Sequence, residues 1–145
     1  MDFGLSNEQE MIIDSVKNFV EQELYPHEDE VEKSNHIDES LAESIKKKAI
    51  QLGLYATNMP EEYGGGGLDT LTLCLLEKEL GKANFGLQYI VARPSNILMA
   101  CKGDQIDKYL IPTIRGEKVD CLAMTEPNAG SDVRSVQCRA EKDGD

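Results

Sequence analysis

The chain has 145 residues, 27 of them acidic and 15 basic, for a formal net charge of −12 at pH 7. Such a balance argues against nucleic acid and anionic membranes as partners, because both select basic surface. With no run of eighteen apolar residues there is no transmembrane helix, and the polar, acidic N-terminus lacks the basic start and apolar core of a signal peptide, so a cytoplasmic location is expected.

Ser6, with Gln9 three residues on, forms a capping-box pattern. Ile12, Val16, Phe19, Val20 and Leu24 then recur at spacings of three and four, the mark of one buried helical stripe. Pro26 is expected to kink or end that helix, with the charged pattern carrying on to about Lys33. Much of the acid lies between Glu21 and Glu43 and reads as a solvated helix face rather than a carboxylate site. Asp38 opens a second helix with Leu41, Ile45, Ala49 and Leu52 on one face and Gly53 as its stop.

The glycines at 64, 65, 66 and 67 follow a helix and lack both a P-loop lysine and G-x-G-x-x-G spacing. A flexible connection is therefore expected there, not a phosphate cradle. Asp69 caps a third helix with Leu73, Leu76 and Leu80 inward and Gly81 at its end. A fourth apolar segment begins at Phe85 and runs to Cys101, with Pro94 predicting a kink near Arg93 or a helix in two parts. A fifth helix begins at Asp104, buries Ile106, Tyr109, Leu110 and Ile114, and stops at Gly116. Cys74, Cys101, Cys121 and Cys138 contain no Cys-x-x-Cys pair and are expected as buried, reduced thiols. His27 and His36 have no partner at metal spacing, so no metal site is expected.

After Lys118 the pattern changes. Residues 119–124 read as a strand, and residues 136–140 alternate Val136, Cys138 and Ala140 with polar neighbours before the hairpin-type Asp143-Gly144. One hairpin is not a stable sheet. The expected fold class is therefore mainly α: an N-terminal all-α domain over residues 1–117, then residues 118–145 as the first strands of a truncated β-domain.

The most informative stretch is Ala123-Met124-Thr125-Glu126-Pro127-Asn128-Ala129-Gly130-Ser131-Asp132. Thr125 and Ser131 offer hydroxyls, Ala129 and Gly130 allow close approach to the backbone, and Pro127 stiffens the turn. Taken alone, the pattern fits either a ligand-binding turn or an ordinary polar turn after a strand. From Ala123 to Ser135 it resembles the first signature of the acyl-CoA dehydrogenases. Two further similarities fall in family order: Met59-Pro60-Glu61-Glu62-Tyr63-Gly64-Gly65-Gly66-Gly67-Leu68-Asp69, continued by Glu77-Lys78-Glu79-Leu80-Gly81-Lys82, and Gln105-Ile106-Asp107-Lys108-Tyr109-Leu110-Ile111-Pro112 followed by Gly116-Glu117-Lys118.

The resemblance implies an N-terminal helical domain, FAD as cofactor, and α,β-dehydrogenation of an acyl-CoA thioester with the hydride passing to the flavin. Carried over by position, Leu122, Ala123, Met124, Thr125, Gly130 and Ser131 would line the flavin, although many members have an aromatic residue where Leu122 stands. Thr125 would hydrogen-bond the ring, and Ser131 would serve the thioester side and the pyrophosphate. The fourth helix corresponds to one that walls the acyl end of the pocket, which makes Gln88, Tyr89 and Arg93 candidates for reading the acyl tail. A charged Arg93 suits a polar or carboxylated tail; the alternative is a surface arginine beside a kink. Glu126 reads as structural, and the family's catalytic glutamate belongs to a later helical domain, so no catalytic residue is expected here and the fragment alone is expected to be inactive. The resemblance further implies an electron-transfer flavoprotein as partner and a homodimer or homotetramer. Related uses of the scaffold, such as enoyl-CoA reduction, oxidase chemistry or flavin-dependent hydroxylation, remain open. A non-catalytic helical interaction module is the alternative of a different class; the flavin-type signature speaks against it.

Overall fold

In the computed structural model, which describes residues 4–141 and 143–144, the sequence patterns become a bundle of helices with a long irregular tail. Helix α1 (Asn7–Phe19) opens with the expected capping box: the Ser6 hydroxyl accepts the Gln9 N–H at 3.2 Å, and Gln9 Oε1 accepts the Ser6 N–H at 3.1 Å. Pro26 does not end the rod. A π-turn at Val20–Leu24 runs straight into helix α2 (Tyr25–Ser34), and Pro26 falls in the first turn of α2, where a missing N–H is tolerated. Asn35, in the left-handed region at φ 53°, closes the rod.

Helix α3 (Glu39–Gln51) ends as Gly53 predicts. Gly53, at φ 70°, donates to Ile50 and Leu54 donates to Ala49, the paired bonds of a Schellman stop. Helix α4 (Thr70–Leu80) begins at Asp69, whose carboxylate accepts the N–H groups of Leu71 and Thr72 at 2.9 and 3.2 Å. The expected split of the next segment is present: helix α5 (Phe85–Val91) stops before a cis Arg93–Pro94 peptide, and a 3-10 turn (Asn96–Ala100) follows. The last helical stretch is a π-turn (Ile106–Leu110) continued by helix α6 (Ile111–Ile114).

Helix α1 packs on α4 and α3 on α5. The core gathers Val16, Phe19, Val20 and Leu24 from the first rod with Ile45, Leu76, Leu80, Leu87, Val91, Leu110 and Ile114. Each Leu removed from water in this way contributes roughly 2 kcal/mol. A polar seam joins the N-termini of α1 and α4: Gln9 Nε2 donates to the Thr72 hydroxyl at 3.2 Å, and that hydroxyl donates to Asp69 Oδ2 at 2.6 Å. Thr72 is consequently buried while Leu73 is only half-buried, a rotation of the face expected from apolar spacing alone.

The same seam gives the protein a pH signature. The Thr72 hydroxyl, and then the backbone N–H bonds, hold the Asp69 carboxyl below the usual carboxylate range. The stabilisation from a depressed carboxyl is complete above its unfolded value of about 4 and is lost as pH falls through the lower folded value. Asp69→Asn is therefore expected to lower the melting temperature at pH 7, and the gap to wild type should close in melts run progressively below pH 4. A gap that persists unchanged into acid would show that the charge contributes nothing.

Further expectations are corrected. Tyr109 is 42% exposed rather than buried, because the π-turn at Ile106–Leu110 is wider than an α-turn and shifts the face; Lys108 and Lys118 lie over its ring at 5.3 and 5.6 Å. Cys74, Cys121 and Cys138 are exposed and Cys101 is half-buried, all four as free thiols; Cys74 shares α4 with the core leucines but falls on its outer side. Residues 64–67 are not a flexible connection. Gly65, Gly66, Gly67 and Leu68 donate to the carbonyls of Pro60, Ala56, Met59 and Thr57 at 2.8–3.0 Å, so the segment is laid against the preceding loop, backbone on backbone. With those N–H groups donated inward, nothing is left there to cradle a phosphate.

Among the described residues no strand forms. Residues 119–124 and 136–140 make no ladder with each other, and the isolated bridge between Glu126 and Ala129 is a turn closing on itself. The physical reason is the one that makes a lone hairpin marginal: a ladder needs further strands or a helix to cover one face. Asp143-Gly144 lies within the described residues without strand pairing at its sides.

Candidate functional site

Residues 122–132 stand outside the helical body as a small, internally braced turn. Glu126 N–H donates to the Ala129 carbonyl at 2.9 Å and Ala129 N–H returns to Glu126 at 3.1 Å, with Pro127 and Asn128 at the corner. The Glu126 carboxylate accepts the N–H groups of Gln137 and Cys138, each at 2.8 Å. That is the structural role expected of Glu126; both oxygens are committed to holding the next segment against the turn. Asp132 Oδ1 accepts the Arg134 N–H at 3.2 Å and starts a 3-10 turn (Val133–Ser135). Ala129, 2% exposed, is the one residue of the turn that is fully covered.

The faces left open are those the sequence singles out. Leu122 is 54% and Met124 45% exposed, and Ala123, Thr125, Gly130 and Ser131 are exposed as well. Among the described residues, the hydroxyls of Thr125 and Ser131 make no hydrogen bond, nor do the backbone N–H groups of residues 121–125. A side chain built at Gly130 would meet nothing within 4 Å. These donors and the open glycine face solvent and are available to a carbonyl-rich or anionic ligand.

Helix α5 presents the other candidates, and the structure separates them. Gln88 points toward α4, its amide 3.5 Å from Glu77. Tyr89, 46% exposed, stacks on Phe85 with ring centroids 5.5 Å apart. Arg93 is neither a surface arginine nor a free cation. It is 7% exposed, its Nη2 lies 2.9 Å from Asp120 Oδ1 and donates to the Asp120 carbonyl, and its guanidinium covers the Tyr89 ring at 4.4 Å. Apolar spacing alone assigns Asp120 no role; its only signal in the sequence is a carboxylate inside the apolar run of residues 119–124, which demands a partner if it is covered.

Tyr55, Tyr89, Ile90, Arg93, Val119 and Asp120 line a cleft of about 480 Å³ between α3, α5 and the start of the tail. Burial pushes the Tyr55 phenol above its ordinary value, with the nearby Arg93 charge opposing, so its O–H stays protonated at neutral pH. The cleft thus joins aromatic walls to the Arg93–Asp120 pair, with Glu39, Glu43 and Lys46 of α3 along its other side. Among the described residues there is no cluster of three or more His, Cys, Asp or Glu able to hold a metal ion, and no helix long and apolar enough to cross a membrane.

The chain is similar to known proteins of one family. The pattern of the "Acyl-CoA dehydrogenase, N-terminal domain" matches residues 6–117. The 3-(aryl)acrylate reductase of Clostridium sporogenes is 34% identical, over 97% of this chain and 37% of its own. A probable acyl-CoA dehydrogenase of Bacillus subtilis, YngJ, is 36% identical over 100% of this chain and 38% of its own. Among solved structures, a chain from a study of the electron-transferring flavoprotein of Acidaminococcus fermentans superposes with a TM-score of 0.74 at 35% identity, over 94% of this chain and 36% of that one. The acyl-CoA dehydrogenase of Bacillus anthracis complexed with FAD gives 0.73 at 29% identity, over 91% and 23%. The chain therefore spans little more than a third of the curated relatives it matches. Its helices and a family pattern covering most of its length agree: the chain belongs to the acyl-CoA dehydrogenase family, in which it corresponds to the N-terminal domain and the segment that follows.

Proposed function

We propose that the whole protein is an FAD-dependent oxidoreductase acting on the α,β-carbons of an acyl-CoA thioester, and that residues 122–131 form one wall of its flavin site. The observation that carries this reading is the set of unspent donors at Thr125, Ser131 and the backbone of residues 121–125, next to an open Gly130. FAD, when bound, supplies the hydride acceptor. The chain's own contribution is orientation: Leu122, Ala123 and Met124 give an apolar edge, the Thr125 hydroxyl is placed to donate to a ring heteroatom, and Ser131 and Gly130 leave room and a donor for the thioester or pyrophosphate side. A fixed donor at the ring edge stabilises negative charge as the ring is reduced. On the acyl side, Tyr89 and Arg93 face the cleft, with Gln88 at its α4 side.

In this reading residues 1–117 are the helical domain and residues 118–145 enter a second, β-type domain. The base that removes the α-proton lies outside these 145 residues. The protein works as a homodimer or homotetramer in the cytoplasm and passes electrons to an electron-transfer flavoprotein. Reduction of an enoyl thioester is a second reading, favoured by the similarity to a 3-(aryl)acrylate reductase.

The test is direct. Full-length protein reconstituted with FAD should show a flavin absorbance that bleaches on addition of a saturated acyl-CoA; bleaching only with a reductant, followed by recovery with an enoyl-CoA, selects the reductive reading. The 145-residue chain alone should carry no stoichiometric flavin through gel filtration. A colourless full-length protein would defeat the assignment, whereas a yellow fragment would overturn only the expectation that these 145 residues do not hold FAD alone.

A further inference from the structure

Arg93 and Asp120 have side chains only 7% and 9% exposed. A pair so covered is favourable only when its remaining polar atoms are also satisfied. Here the grip falls on both parts of Asp120. The guanidinium binds the carboxylate and donates to the carbonyl of the same residue, while the Ser95 N–H approaches the carboxylate oxygens at 3.3 and 3.4 Å. Tyr89 stacks on the guanidinium, so the clamp reaches helix α5. On its inner side it is rooted in the loop after α3: the Arg93 carbonyl accepts the Ala56 N–H at 2.8 Å, and Asn58 Nδ2 donates to the Pro94 carbonyl at 2.9 Å.

Beyond Asp120, among the described residues, no hydrogen bond joins the tail to the helical body; those of residues 126–138 stay within the tail. Leu122 follows two residues later, no more than about 7 Å of chain away. Asp120 is thus the last fixed point before the flavin-type wall, and the same guanidinium that holds it lies against the Tyr89 face of the cleft.

We propose that Arg93 and Asp120 are positioning residues, which set the register of residues 122–125 against helix α5 so that the flavin wall and the acyl-side face meet one substrate. The inference rests on the reading of residues 122–131 as a flavin wall. It differs from a purely stabilising ion pair in one respect: restoring stability without restoring the clamp should leave the wall misplaced.

The test uses the full-length protein and the double variant Arg93→Met with Asp120→Leu, which replaces the buried pair by apolar groups and leaves no unpaired charge. Arg93→Lys is the companion, keeping the charge but not the two-pronged grip. FAD affinity and acyl-CoA kinetics are read at a temperature where all three proteins are folded. The double variant should bind FAD about tenfold more weakly, with kcat falling while KM for the acyl-CoA changes little; Arg93→Lys should fall between. FAD affinity equal to wild type in the double variant overturns the proposal. Wild-type protein without FAD affinity would instead sink the flavin-wall reading, and the positioning role with it.

Discussion

Gly65→Ala should cost the protein about 3 kcal/mol, a melting-temperature loss of roughly 10 °C. An ideal Cβ at this position falls 2.5 Å from both the carbonyl carbon and the Cβ of Met59, and closer still to the Met59 oxygen. Met59 is itself fully buried, and its carbonyl already accepts the Gly67 N–H at 2.8 Å. No flexible side-chain end is available to swing away, so the backbone ribbon of residues 64–68 would have to lift off the loop beneath it and break several of its inward bonds. Gly130→Ala is the matched control: nothing lies within 4 Å, and the change should be neutral to within about 0.5 kcal/mol. Thermal unfolding of both variants decides the matter; equal melting temperatures would mean that the ribbon does not pack as described.

That result would also mark the limit of what the sequence discloses. Helix ends were legible because capping is local: Ser6 with Gln9, Asp69 with Thr72 and Gly53 with Leu54 each complete their bonds within five residues. The core stripes were legible because period 3.6 writes itself into Val16, Phe19, Val20 and Leu24. The π-turns were not. Wide turns at Val20–Leu24 and Ile106–Leu110 change the face on which later residues fall, and that exposed Tyr109. Nor was the glycine ribbon, whose partners Ala56, Thr57 and Met59 lie several residues upstream and are chosen by tertiary packing.

The candidate site divides in the same way. Its turn at residues 122–132 was readable as a contiguous motif, and the structure adds the bracing: Glu126 committed to Gln137 and Cys138, Ala129 covered, Thr125 and Ser131 left open. Arg93 was readable only as a cation near a proline. Its fate depends on Asp120, 27 residues away, and no local pattern pairs two such positions. The expectation that Arg93 offers a free charge to a carboxylated tail gives way to a pair whose charges cancel inside the cleft.

The two halves of that pair should not be equal under substitution. Arg93→Ala removes the guanidinium from both the carboxylate and the carbonyl of Asp120 and leaves the carboxylate, 9% exposed, with only the longer approach of the Ser95 N–H. A stranded, covered charge makes this the larger loss, about 4 kcal/mol. Asp120→Ala keeps the backbone carbonyl as an acceptor and keeps the Tyr89 ring 4.4 Å from the guanidinium, so Arg93 retains two of its three partners. Its cost should be nearer about 2 kcal/mol. Denaturant unfolding of wild type, the two single variants and the double alanine variant measures the order and the coupling together. Equal single losses would mean that the Asp120 carbonyl and Tyr89 contribute nothing to holding Arg93. A double variant more stable than Arg93→Ala alone would show that the cost lies in the stranded carboxylate, as a pair buried beside an aromatic cleft requires.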